Sequence, residues 1–211
     1  MTRPGWVVVL NGAPRSGKSS LAVALAAQGG PTWTIRGVDS VLAATPSDLL
    51  PAMGLRPGGE RPDLEPLVLD QVGELFDHVA TDSRSGLDVA VDIGLHDHYS
   101  RPLGLWALAA DRLGDVPVMV VGVRCPLPEL MRRRNLDRSG TYQGSTHGDP
   151  VPEVVERWDR AVHDPGIYDI EIDTSTTAPK VGAARILRRL DGPPPPAALR
   201  QHGATDRPGG A

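Results

Sequence analysis

"VVVLNGAPRSGKSSLAVALAA", residues 7–27, is the stretch on which the fold turns. A β-branched apolar run ends at Asn11, and a run rich in alanine and leucine opens at Ser19. Between them Gly12-Ala13-Pro14-Arg15-Ser16-Gly17-Lys18-Ser19 matches G-x-x-x-x-G-K-[ST] at every constrained position. The glycines permit backbone angles that turn successive N–H groups inward, and a following helix adds its N-terminal dipole. Strand, Gly-rich loop and helix in this order make a cradle for the phosphates of a nucleotide. Lys18 can reach the β- and γ-phosphates, and the Ser19 hydroxyl suits Mg²⁺. The chain has 20 arginines and only two lysines, yet a lysine stands where the motif requires one. The expected nucleotide-binding set is Gly12, Ala13, Pro14, Arg15, Ser16, Gly17, Lys18, Ser19 and Ser20. Pro14 and Arg15 occupy free positions of the motif, with the Arg15 side chain expected in solvent.

Outward from the loop, short Val/Ile-rich runs alternate with helix-period segments. The runs are residues 6–10, 33–38, 87–93, 116–123 and 168–173. Helices are expected over 19–28, 66–81, 102–113, 127–134, 151–162 and 180–190. This alternation predicts an α/β domain with a parallel sheet covered on both faces. Residues 1–190 form the expected domain. Residues 45–65, "TPSDLLPAMGLRPGGERPDLE", are too long for a plain connection and are expected to be a functional loop or insertion. The Pro/Gly-rich tail, residues 191–211, is expected to be disordered.

Composition narrows the function. The net charge of −4 argues against a nucleic-acid binder working through a broad basic face. No apolar run approaches the roughly 20 residues that span a bilayer, and the N-terminus lacks a signal-peptide pattern, so no membrane partner and a cytoplasmic location are expected. The single cysteine, Cys125, excludes an internal disulfide and reads as a buried thiol.

A guanine-reading N-K-x-D is absent, and the D-x-x-G at Asp111–Gly114 falls at the end of an expected helix. The large motor and transport ATPases need more chain. A small kinase fits, and it requires a group to deprotonate the acceptor, a carboxylate for Mg²⁺, arginines for the transferring phosphoryl and an acceptor pocket. The second strand runs into "GVDS", placing Asp39 at a strand C-terminus beside the loop, where it is either the base or a helix cap. Asp92 ends the third strand, either as a Mg²⁺ ligand through water or as a turn residue. His96 and His98, two apart and without cysteine support, read as acceptor-pocket lining or surface rather than as a metal site. Arg132, Arg133, Arg134 and Arg138 cluster after the helix that follows strand four. On a lid over residues 131–149, one or two of them could clamp phosphates, with Arg132 and Arg138 as catalytic candidates and Arg134 on the nucleotide.

Taken together, "LNG" with "SGKS", "GVDS", the apolar strand ending in Asp92, "VGVRC" (residues 121–125) and "VHDPGIYDIEIDTS" (residues 162–175) resemble the chloramphenicol phosphotransferase family of P-loop kinases. The Walker element is generic; the other blocks in this order are far more specific. The resemblance implies a three-layer α/β/α P-loop fold with a five-stranded parallel sheet of order 2-3-1-4-5. It also implies ATP and Mg²⁺ as cofactors, Asp39 as catalytic base, Lys18 and Ser19 as phosphate and Mg²⁺ groups, and a small-molecule hydroxyl acceptor. Where the family pattern has paired aspartates at the third strand's end, this chain has Asp92-Ile93. The expected activity is O-phosphorylation of a natural product such as an antibiotic. A metabolic or nucleotide-modifying kinase and a nucleotide-binding regulator with little turnover stand beside it, and a homo-oligomer is compatible with the sequence.

Overall fold

Five strands, β1 (Val7–Asn11), β2 (Trp33–Gly37), β3 (Asp88–Ile93), β4 (Val118–Arg124) and β5 (Ile170–Asp173), pair in parallel in the order β2-β3-β1-β4-β5. The computed structural model describes residues 3–136 and 150–205. Eight helices are described: α1 (Lys18–Gly29), α2 (Val38–Ala44), α3 (Glu65–Arg84), α4 (Leu105–Leu113), α5 (Leu127–Asn135), α6 (Glu153–Val162), α7 (Pro179–Leu190) and α8 (Ala198–Thr205).

The central strand explains the layers. Every residue of β1 is buried, because helices cover the sheet on both sides. Side chains alternate along a strand, so Val7 and Val9 join Phe76, Trp106 and Leu199 in one core. Val8 and Leu10 join Leu21, Leu25 and Ile186 in the other. A third cluster, holding Ala13, Cys125, Leu130 and Val155, lies under the Gly-rich loop. Cys125 is 4% exposed there, and burial raises its thiol pKa, which keeps it an inert packing group.

Two elements depart from the sequence reading. Residues 198–205 of the tail expected to be disordered form α8. Leu199 enters the core, His202 stacks on Trp106 at 4.0 Å between ring centroids, and His202 Nε2 lies 2.9 Å from the Ile167 carbonyl. Asp169 Oδ1 receives the N–H groups of Ala197 and Ala198 at 2.6 and 3.0 Å, so a side chain from the β4–β5 edge fixes where α8 begins. Composition could not reveal a partner 28 residues upstream. The second departure, α2, is only seven residues long and has no fully buried residue.

Candidate functional site

The loop after β1 is held from beneath. Gly12 passes so close to β4 that a Cβ would overlap the Val123 carbonyl. Gly17 takes φ 100°, a left-handed value that favours glycine, and Arg15 takes φ 71°. Asn11, fully buried, accepts the Leu95 N–H at 2.7 Å and donates to the Val162 carbonyl at 2.7 Å, binding β1 to the segment after β3 and to α6. Arg133 grips the loop from the side. It donates to the carbonyl of Ser16 at 3.2 Å and to Oγ1 and the carbonyl of Thr174 at 2.9 and 2.8 Å. Thr174 Oγ1 donates in turn to the Ser16 carbonyl at 2.5 Å.

Lys18 opens α1 and is nearly buried. Its Nζ donates to the Ala13 carbonyl at 3.0 Å and stands 3.7 Å from Asp92 Oδ1. Desolvation lowers its pKa, while the carboxylates of Asp92 and Asp39 act the other way. Ser19 Oγ donates to Asp92 Oδ2 at 2.6 Å. A hydroxyl and a carboxylate at this spacing are hard oxygen donors, and the pair fits a Mg²⁺ that keeps most of its waters.

These groups line a cleft of about 970 Å³. Gly12, Pro14, Arg15, Gly17, Lys18, Ser19, Ser20, Asp39, Asp92 and Arg134 all face it. Arg15 is half-buried in that wall rather than solvated as its free position suggested. Ala13 and Ser16 are 1% exposed, so they meet a ligand through backbone only. Asp39 sits in the first turn of α2, exposed to the cleft, and makes no capping hydrogen bond. Gly37 takes the cap position, so the reading of Asp39 as a cap falls away.

Other expectations are redistributed. Arg132 is not brought to the cleft: it turns outward, 61% exposed at the side chain, and pairs with Glu129 at 2.6 Å. Adjacent residues on α5 point in different directions, so Arg133 and Arg134 reach the cleft and Arg132 does not. Arg138 lies outside the described residues, as do residues 137–149 of the expected lid. His96 is 1% exposed and lies behind the cleft wall, stacked on Tyr99 at 4.5 Å between centroids. Burial lowers its pKa to about 4, which keeps the ring neutral. His98 pairs with Asp164 at 2.8 Å. Among the described residues no three metal-ligating side chains cluster.

Sequence reasoning assigned no separate role to Asn11, Arg133 or Trp158. The first two are visible in sequence only as parts of "LNG" and of an arginine run. Trp158, on α6, lines the cleft, and its indole N–H is buried with no partner among the described residues. The part of residues 45–65 that faces the cleft is Pro51, Met53, Gly54 and Arg56.

Among the described residues no helix is long and apolar enough to cross a membrane. Solved structures with similar folds include an APS kinase from Mycobacterium tuberculosis in complex with AMPPNP and APS, at TM-score 0.57 and 18% identity, covering 90% of this chain and 99% of that one. Shikimate kinase from Acinetobacter baumannii with shikimate matches at TM-score 0.56 and 15% identity, covering 89% and 92%. The tunicamycin resistance protein of Deinococcus radiodurans matches at TM-score 0.56 and 20% identity, covering 90% and 99%. At these identities the likeness concerns the fold. No curated protein matches the sequence. The family model for chloramphenicol phosphotransferase-like proteins matches residues 5–191, the whole of the sheet and the cleft, and the chain therefore belongs to that family of P-loop small-molecule kinases.

Proposed function

We propose that the protein transfers the γ-phosphoryl group of ATP to a hydroxyl of a small natural product, an antibiotic whose phosphorylation protects the cell. The observation that carries this reading is Asp39: an exposed carboxylate without an ion pair among the described residues, on the same cleft as Lys18 and Ser19. An exposed carboxylate just past a strand C-terminus, with no hydrogen bond holding it among the described residues, is available to take a proton. Family membership supplies the reaction class, and the fold shared with a tunicamycin resistance protein is in keeping with an antibiotic acceptor.

In this mechanism the loop N–H groups and Lys18 hold the β- and γ-phosphates, with Arg134 beside them. Ser19 and Asp92 are the residues that would hold Mg²⁺, which would supply neutralisation of the phosphate charge. Asp39 orients the acceptor hydroxyl and takes its proton as the new O–P bond forms and the bridging P–O bond to ADP breaks. Arg133 keeps the Ser16 carbonyl in place and so positions the loop. Residues 45–65 form part of the acceptor side, and the reaction belongs to the cytoplasm, where ATP is supplied.

Mass spectrometry after incubation with ATP, Mg²⁺ and a panel of hydroxylated antibiotics tests this. A gain of about 80 Da, one phosphoryl group, on one compound is expected. Phosphorylation of a metabolite or nucleotide and of none of the antibiotics would replace the antibiotic reading. ATP binding without transfer to any acceptor would favour a regulator.

A further inference from the structure

The arginines of the cleft are engaged within the protein, with one exception. Arg36 donates to Asp82 at 2.8 Å, and Arg133 is held by Glu129 and Thr174. Arg15 and Arg134 also have interactions within the chain. Arg56 lines the same cleft, is exposed, and makes no hydrogen bond or ion pair among the described residues.

Its backbone is not loose. The turn just before it, Ala52–Gly54, packs on α2, and the Met53 N–H donates to Gln71 Oε1 at 3.0 Å. Leu55, beside Arg56, is 2% exposed in the core. Two residues further on, the Gly58 N–H donates to the His98 carbonyl at 2.8 Å. The chain therefore presents one long cation from an anchored backbone, next to an apolar and aromatic wall that includes Leu42 and Tyr99. Two charges of opposite sign that lack ion pairs among the described residues, Asp39 and Arg56, then face one cleft.

We propose that the acceptor is an acid: a hydroxylated molecule with an apolar or aromatic body whose carboxylate or phosphate ester is bound by Arg56. The pair of charges sets its orientation. Asp39 repels the acidic end and accepts a hydrogen bond from the hydroxyl, while the planar guanidinium takes the anion through two parallel N–H donors. The proposal rests on the reading that Asp39 marks the acceptor side.

The test uses the full chain saturated with AMPPNP, so that the probe cannot occupy the phosphate loop. Naphthalene-2-carboxylate and the neutral naphthalene-2-carboxamide are titrated by calorimetry. The carboxylate is expected to bind about 10-fold more tightly, the scale of one charge-assisted contact. Arg56→Gln should abolish that preference, and Arg56→Glu should invert it, with AMPPNP affinity and circular dichroism unchanged in both. An unaltered preference in Arg56→Gln overturns the proposal. So does equal binding of the two probes, or binding of neither, in a protein that binds AMPPNP. Failure of AMPPNP itself to bind would instead strike at the kinase reading.

Discussion

The two walls of the cleft are built differently. The phosphate-loop wall is tied at nearly every point: Asn11 to α6, Arg133 to Ser16 and Thr174, Lys18 to Ala13. The opposite wall is α2, which has no fully buried residue, and the turns that follow it, with Asp39 and Arg56 in no ion pair among the described residues. A triphosphate is the same in every reaction, so its cradle gains from being formed in advance. An acceptor differs between enzymes, and a short helix packed only through half-buried side chains can change without disturbing the sheet. On the proposed function, donor chemistry is set by the rigid wall and acceptor identity by the adaptable one.

Substitution at one residue on each wall should separate their roles most sharply. Asp39→Asn is expected to lower kcat on the order of 10²–10⁴-fold while leaving AMPPNP affinity within about 2-fold, measured by steady-state kinetics and calorimetry. Loss of AMPPNP binding in that variant would break the division between walls. Lys18→Ala should do the reverse at the first step, weakening AMPPNP on the order of 10²-fold, with turnover falling alongside.

Next in size is the anchoring of the rigid wall. Asn11→Ala leaves the buried Leu95 N–H without its acceptor and the Val162 carbonyl with only the Tyr168 hydroxyl at 3.1 Å, and urea denaturation should register a loss of about 2–3 kcal/mol. A loss below about 1 kcal/mol would show that the wall does not depend on this tie.

Smaller again is a pH effect from two histidines. His96 and His163 are both lowered by burial to about 4. Each stays neutral in the fold but binds a proton in the unfolded chain below its ordinary value of 6.5. Folding free energy is therefore lost as pH falls from 6.5 toward 4, by up to about 1.4 kcal/mol per pH unit for each histidine. In His96→Phe the slope of urea stability against pH should drop by one histidine's share; an unchanged slope would mean His96 does not titrate this way. The smallest effect belongs to Arg132. Exposed and paired with Glu129, it should tolerate Arg132→Ala with no resolvable shift of the urea midpoint and little change in AMPPNP affinity.

The amino-acid sequence by itself determined the local elements: the five strands, the loop at Gly12–Ser19 and the helix that opens at Lys18. These depend on residue spacing over a few positions, which a chain displays directly. The position of Asp39 was legible for the same reason, since a strand end next to the loop is a local feature. What only the tertiary structure decided depends on partners far apart in the chain. Asp169 caps α8 from 28 residues away, so a tail that reads as disordered forms a helix over residues 198–205. Arg133 meets Thr174 from 41 residues away, and the rotation of α5 turns Arg132 outward while Arg133 and Arg134 face the cleft. Arg56 reads as one arginine among 20 until the fold sets it on the cleft that Asp39 also lines, with no ion pair among the described residues. Periodicity reports which face a residue belongs to; whether a charge on that face is neutralised is settled by what the fold places within about 4 Å of it.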